Sequence, residues 1–393
     1  MKVLRFALIA VFVALPVLGQ DEEGPAQASG AGVDMTGKGY TAAYVMEVST
    51  GRVLHAENEH MPLPTASMAK MMTLLIAMEE IREGRLKPEE FVTVSPRASR
   101  MGGSQVYLRA GSRWPIHNMI IAVKVQSAND ASTVLAEKIA GSNENFAVLM
   151  NERAKELGLT HSTFYDPHGL PNSQNPKQIN TMCPHDLAIL GRELMKDPFM
   201  RKLSVVAEQP FKNNTLERIY NPNHLVNPRR ANYMADATGI KTGYTAAAGF
   251  CVTASAKRHD MEVIAVVTGA KTAGGPNGSF ANASRLMNEA LVNYRIVTSA
   301  KKGTVVGEAQ VTGGQAESVS AIVSADASAL MRRGEEKNVK LTFNGIPVAA
   351  PVKKGQNVGT VIVQSGNETI AKIPAVAAAD VPKQQWWRAL WPF

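Results

Sequence analysis

Ser67 and Lys70 stand three residues apart in the stretch Pro64-Thr65-Ala66-Ser67-Met68-Ala69-Lys70-Met71-Met72-Thr73-Leu74-Leu75-Ile76-Ala77-Met78. On a helix that spacing puts a hydroxyl and an amine on one face, within reach of each other. A serine becomes an effective nucleophile when a neighbouring base takes its proton, and a neutral lysine is such a base. Alone the pair carries little weight, because Ser-x-x-Lys arises by chance about once or twice in a chain of this length and ordinary composition. Ser299-Ala300-Lys301-Lys302 repeats it in a stretch that reads as a linker. Lys241-Thr242-Gly243 is a rarer triplet, placed at the mouth of a strand, where glycine lets a ligand approach the backbone closely. Ser-x-Asn occurs three times. Ser173-Gln174-Asn175 and Ser365-Gly366-Asn367 read as turns. Only Ser127-Ala128-Asn129 falls between two expected helices, and between the other two motifs in order.

The elements that must position these residues follow from periodicity and breakers. Pro64 and Thr65 predict a helix start, with Thr65 accepting from the first turn. The residues after them are apolar on nearly every face, as in a helix buried at a domain centre. Residues 40–48 and 52–56 flank Ser49-Thr50-Gly51 as a hairpin. Helices are expected over residues 117–126, 131–140, 146–157, 184–195 and 280–294, with a flexible loop at 101–104 and a turn-rich loop at 166–171. Residues 249–256 and 261–268 pair as strands across 257–260. Strands at both ends with helices between predict an α+β domain, one antiparallel sheet covered by helices. Beyond about residue 298 short β-rich runs alternate with turns at Gly313-Gly314, Asn344-Gly345 and Ser365-Gly366-Asn367, as in a small all-β sandwich domain.

At 393 residues, 45% hydrophobic and 19% charged, the chain has room for two domains and a large core. Its net charge of +8 becomes +6 when Lys2 and Arg5 are set aside, leaving 40 basic against 34 acidic residues. No dense basic stripe interleaves with aromatics, so nucleic acid is not the expected partner; an anionic membrane surface or polymer suits the charge better. Residues 1–19 read as a secretory signal: Lys2 and Arg5, an apolar run over 6–15, then Val17-Leu18-Gly19. Residues 20–35 read as a loose segment. The two cysteines, Cys183 and Cys251, are taken as small buried hydrophobes. Residues 380–393 hold three of the four tryptophans. On a helix Trp386 and Leu390 share a face, as do Trp387 and Trp391, with Lys383 and Arg388 for head-groups: an amphipathic foot for a membrane surface, too short to span it.

In order, Ser67-x-x-Lys70, Ser127-x-Asn129 and Lys241-Thr242-Gly243 resemble the active-site set of penicillin-binding proteins and serine β-lactamases. Their surroundings narrow the likeness to the low-molecular-mass D-alanyl-D-alanine carboxypeptidases, over about residues 36 to 295. Those surroundings are Ala66 with Met71-Met72-Thr73, Asp130-Ala131-Ser132, Leu157-Gly158-Leu159-Thr160, Asp166-Pro167-His168-Gly169-Leu170 and Gly239-Ile240 with Tyr244-Thr245. More loosely it extends to the β domain and tail of membrane-attached members. The resemblance implies a catalytic domain over 36–297, a β-rich domain over 298–379 and an anchor over 380–393. It implies attack by Ser67 on the penultimate D-Ala carbonyl of a peptidoglycan stem peptide, with β-lactams as inhibitors. Lys70 would be the general base, its pKa lowered by Lys241 and by exclusion from water. Ser127 would pass a proton to the leaving amine, and Asn129 would hold Lys70 and the substrate amide. Lys241 and Thr242 would bind the terminal carboxylate, Gly243 would allow close approach, and the N–H groups of Ser67 and Tyr244 would form the oxyanion hole. No cofactor or metal is implied, and the eight histidines, with no His-Glu-x-x-His spacing, read as structural or surface residues.

Two positions depart from the family's pattern. Ala128 stands where glycine is usual, and Tyr244 where some members have histidine. Rival readings stay open. A D,D-endopeptidase shares all three motifs. A serine β-lactamase usually carries a loop Glu-x-x-Leu-Asn that is absent here. A catalytically inert peptidoglycan binder and a surface-bound structural protein complete the set. The exported enzyme would work at the periplasmic face of a bacterial inner membrane.

Overall fold

The computed structural model describes residues 39–172, 175–271, 275–335, 339–366 and 368–385. The signal segment 1–19, the segment 20–35, Trp386 to Phe393 of the proposed foot and part of the 173–175 turn lie outside the described residues. Among the described residues no helix is long and apolar enough to cross a membrane.

Four helices and five strands frame the first domain. The helices are α1 (Lys70–Arg82), α2 (Asn129–Ala140), α3 (Pro184–Leu194) and α4 (Gly275–Asn293). The strands are β1 (Ala42–Glu47), β2 (Val53–Glu57), β3 (Ala237–Thr245), β4 (Gly249–Arg258) and β5 (Met261–Ala270). They form one antiparallel sheet in the order β2-β1-β5-β4-β3, so both ends of the domain meet at its centre. Every residue of β1 and β5 is buried, because both faces of the sheet are covered. Side chains alternate accordingly. Ala43, Val45, Val263 and Val267 pack with Phe280, Leu286 and Met287 of α4. Tyr44, Met46, Ile264 and Val266 join Met72 of α1 and Leu187 of α3 on the other face. Helix α1 is buried continuously from Lys70 to Ala77, the consequence of a sequence that is apolar all round.

Several local expectations are corrected. Thr65 does not cap a helix; its hydroxyl donates to Asn180 O at 3.3 Å, and a 3-10 turn, Ala66–Ala69, precedes α1. The helix expected over 117–126 is an α segment, Ile116–Ile121, followed by a π turn, Ala122–Gln126, which Ser127 ends in the left-handed region. Lys241-Thr242-Gly243 lies within edge strand β3 rather than at its mouth.

The second domain contains β6 (Tyr294–Ala300), β7 (Val305–Thr312), β8 (Ser318–Val323), β9 (Ala327–Arg332), β10 (Val339–Gly345), β11 (Val348–Ala349), β12 (Asn357–Ser365) and β13 (Glu368–Ala377). A six-stranded sheet, β10-β12-β13-β8-β7-β11, and the β6-β9 pair enclose one apolar core: Val311, Val323, Ala329, Met331, Val361 and Val363 among others. Ser299 and Ala300 end β6, so the second Ser-x-x-Lys occupies a strand and its turn, not a linker. Asn344-Gly345 closes β10 instead of forming a separate turn. Position 298, where composition shifts, falls inside β6, and bridges from Gly314 to Lys383 and Val352 to Val381 carry the domain past 379.

Helix α4 passes directly into β6. Arg333 N donates to Asn293 O at 2.8 Å and Arg52 Nη1 to Leu330 O at 3.2 Å, while the Leu330 side chain is fully buried in the core of the first domain. Replacing Leu330 by Ala therefore opens a cavity beneath the first domain's sheet, and should lower its stability by about 2–5 kcal/mol. Urea unfolding followed on the sheet's own signals checks this; a loss confined to the β domain would contradict it.

Candidate active site

Ser67 is half-buried in the 3-10 turn that feeds α1. The turn is squeezed from two sides. Gly169, at φ +84°, passes so close that a Cβ there would sit 1.8 Å from Ala66 O. A Cβ at Gly243 of β3 would sit 2.7 Å from Thr65 O and 3.2 Å from Met68 N. Ala66 itself is held at φ +47°, a left-handed conformation that costs a residue with a Cβ about 1–2 kcal/mol. The loop that bears on it is braced. Asp166 Oδ1 accepts from His168 N at 2.8 Å and Gly169 N at 2.5 Å, and Asn180 Nδ2 donates to Asp166 O at 2.8 Å. Thr65 N donates to Asn180 O at 3.0 Å, closing the ring of contacts around the nucleophile.

Lys70 is completely buried, with Nζ 2.8 Å from Ser67 Oγ and donating to His168 O at 2.6 Å. Burial pushes this amine down to about 7, against the opposing pull of Asp166 and Asp130. Exclusion from water is thus the leading cause. One turn on, Thr73 Oγ1 donates to Pro167 O at 2.6 Å, fastening the same loop to α1.

Ser127, at φ +62°, accepts from Lys241 Nζ at 2.7 Å, and Lys241 also donates to Thr242 O at 3.0 Å. Lys241 is buried, and its pKa is pushed well down by that burial and by the charges of Lys70 and Lys124. Asn129 is placed differently from the expectation. Its Nδ2 donates to Gly102 O at 2.7 Å rather than engaging Lys70, and its buried Oδ1 has no partner among the described residues. Such an acceptor is suited to an incoming N–H, since leaving it unpaired costs about 1–3 kcal/mol. Thr242 is half-buried, Gly243 buried, and Tyr244 half-exposed with its ring stacked on Phe250 at 4.3 Å.

Two buried charged residues beside the site were given no role in the sequence reading. Lys124 is buried, donates to Ile240 O at 2.5 Å, and is driven to about 7 by burial. Its signal was a lone charge within the apolar run 119–125. Asp130 is also buried, and accepts from Val106 N at 3.1 Å and Leu108 N at 3.0 Å, tying the loop that carries Gly102 to α2.

A hydroxyl beside a buried amine of lowered pKa, and a second hydroxyl beside a second buried lysine carried on the sheet's edge strand, define an active-site serine acyl-transfer enzyme. The comparisons agree with that class. The sequence model of the D-alanyl-D-alanine carboxypeptidase family matches residues 36–272, and that of the penicillin-binding protein 5 C-terminal domain matches 294–383. The chain is 34% identical to D-alanyl-D-alanine carboxypeptidase DacF of Bacillus subtilis over 87% of its length and 86% of the relative's. It is 32% identical to D-alanyl-D-alanine carboxypeptidase DacC of Escherichia coli, over 89% and 86%. The crystal structure of penicillin binding protein 5 from Haemophilus influenzae superposes with a TM-score of 0.76 at 26% identity, covering 88% of this chain and 98% of that one. The chain belongs to the D-alanyl-D-alanine carboxypeptidase family of low-molecular-mass penicillin-binding proteins.

A buried lysine with a lowered pKa weakens the fold as pH falls. The unfolded lysine takes up a proton below its ordinary pKa of about 10.4, while folded Lys124 does not until about 7. A Lys124→Met variant should therefore gain on the wild type as pH drops from about 10 to 7, by roughly 3–5 kcal/mol. Urea unfolding at both pH values measures the gap; an equal gap would contradict the buried amine's linkage.

Proposed function

We propose that this chain is a serine-type D-Ala-D-Ala carboxypeptidase that removes the terminal D-alanine from peptidoglycan stem pentapeptides and so limits crosslinking. The 2.8 Å approach of Ser67 Oγ to a wholly buried Lys70 amine carries the assignment. Lys70 takes the Ser67 proton as Oγ bonds to the carbonyl carbon of the penultimate D-Ala. The N–H groups of Ser67 and Tyr244 receive the developing oxyanion. The C–N bond then breaks, and Ser127, poised on Lys241, relays a proton to the departing D-alanine amine. Water hydrolyses the remaining ester, leaving a tetrapeptide stem and free Ser67. The substrate's carboxylate is met by Lys241 and Thr242. An anion brought to Lys241 favours the charged form that burial has disfavoured. The unpaired Asn129 Oδ1 takes a substrate amide N–H. β-Lactams acylate the same serine and block it.

The readings of the two termini belong to the same proposal. Residues 1–19 direct export, and the tryptophan-rich end holds the enzyme at the periplasmic face of the inner membrane, where its substrate lies.

D-Alanine release from a short peptide ending in D-Ala-D-Ala should fall at least about 10³-fold in Ser67→Ala. The acylation rate should rise with pH up to about 7 and then level, since only neutral Lys70 serves as base. Release of crosslinked stems but not of terminal D-alanine would instead make the enzyme an endopeptidase. Turnover of a β-lactam without either would make it a β-lactamase. A pH-independent acylation rate between pH 5 and 8 would remove Lys70 from the base role.

Deleting residues 386–393 should free the protein from anionic lipid vesicles while D-alanine release in solution is unchanged. Co-sedimentation of the shortened form with vesicles would contradict the anchor.

A further inference from the structure

Three of the eight histidines and one of the two cysteines converge at a place the acyl-transfer chemistry does not use. His60 lies between β2 and the short strand Leu63–Pro64, and His161 in the turn after the helix Asn143–Glu156. Cys183 and His185 sit at the first turn of α3, where the Cys183 sulfur is the N-cap acceptor for Asp186 N at 3.4 Å. The His60 ring centroid is 5.1 Å from that of His161 and 5.0 Å from that of His185. Ligand atoms of His60, His161 and Cys183 all lie within 4.8 Å of one another, as do those of Cys183, His185 and Asp186. Sequence spacing hides this cluster because its members come from three separate segments. Hence the histidines read as surface residues and the cysteine as a small hydrophobe.

The surroundings are those of a metal centre. Buried Asp186 places Oδ1 3.1 Å from His185 Nδ1, the carboxylate–imidazole contact that fixes a ligand ring's tautomer and direction. Its Oδ2 accepts from His161 N and from Ser162 Oγ, each at 2.8 Å, so one carboxylate positions two of the ligand-bearing segments. His185 N donates to Glu59 O at 3.0 Å, drawing the His60 segment to the same point. His161 Nδ1 lies 3.0 Å from Thr160 Oγ1, which leaves its other ring nitrogen for a ligand. Three imidazole nitrogens and one thiolate are a set that tetrahedral Zn²⁺ accepts, with bonds of about 2.0–2.3 Å. The two groups meet at Cys183, and the exposed His60 and His161 side chains have the freedom to swing onto a common centre with His185.

We propose that His60, His161, His185 and Cys183 bind one Zn²⁺ ion, with Asp186 orienting His185. On binding, Zn²⁺ replaces the Cys183 thiol proton, which is released to solvent. The ion pins together three segments beside the Leu63–Pro64 pairing with Thr181–Met182, the last regular structure before the nucleophile turn. It acts as a brace and does not enter the acyl-transfer steps.

The test uses the full, untagged chain, stripped with a chelator and titrated with Co²⁺ as a spectroscopic stand-in, then with Zn²⁺ in competition. One equivalent should bind, with the visible bands of tetrahedral cobalt and a near-ultraviolet thiolate-to-metal charge-transfer band. Cys183→Ser keeps an oxygen cap on α3 and should lose the charge-transfer band. His60→Ala and His161→Ala, both at exposed positions, should each weaken Zn²⁺ binding at least about 10-fold. Zn²⁺ should raise the melting temperature of the wild type and not of the His60→Ala/His161→Ala double variant. Affinity equal in wild type and double variant, or cobalt binding without the charge-transfer band, would overturn the site. Each readout is independent of D-alanine release, so failure here leaves the carboxypeptidase assignment standing.

Discussion

An amine that must stay out of water is the constraint around which this molecule is arranged. In the mechanism proposed for it Lys70 works as a base only while it is neutral, and burial pulls its pKa down to about 7. A helix that would ordinarily show one wet face is therefore buried continuously through its first two turns. The 166–170 loop closes over it, fastened through Thr73 to Pro167 and through Lys70 to His168. Lys124 and Lys241 share the same dry region, so three lysines sit in the interior without an ion pair among the described residues. Interiors disfavour such groups strongly. The wide, doubly covered sheet supplies the apolar packing that offsets them, and stability is given up where the chemistry needs it.

Close backbone approach complements that burial. Gly169 and Gly243 matter for the side chains they lack, since each leaves room for the turn that carries Ser67. Ala66 and Ser127, both with a Cβ and both in the left-handed region, show where the surroundings overrule local preference. One precedes the nucleophile and the other is the second hydroxyl. Of the five residues with a Cβ held at positive φ among the described residues, these two lie at the site.

Much of the architecture was legible in the sequence because it rests on period and order. Alternating apolar runs at both ends of the first domain announced a shared sheet, and Ser67 and Lys70 share a face because three residues separate them. What stayed hidden depends on contacts between distant segments. Thr65 has a capping residue's chemistry, but Asn180, more than a hundred positions later, takes its hydroxyl. The end of the 117–126 helix widens to a π turn that periodicity does not announce. Asn129 faces Gly102 rather than Lys70 because the 101–108 loop is drawn in by Asp130, and Lys124 looks like a solvent charge until Ile240 is seen beside it. Position 298 misled for a different reason: composition changes there, but hydrogen bonding changes at Tyr294.

The passage from α4 into β6 without a spacer bears on how the enzyme is aimed. A flexible tether would let a catalytic head sweep through many orientations, so that anchoring restrained only its distance from a surface. Here Arg333 and Arg52 bind backbone carbonyls across the junction, and Leu330 is plugged into the catalytic core. The β domain is therefore braced against the first domain at its junction. Were the proposed foot to hold that domain's end at a surface, it would also fix the compass bearing of the active site, and the search for a substrate strand would become one over position alone.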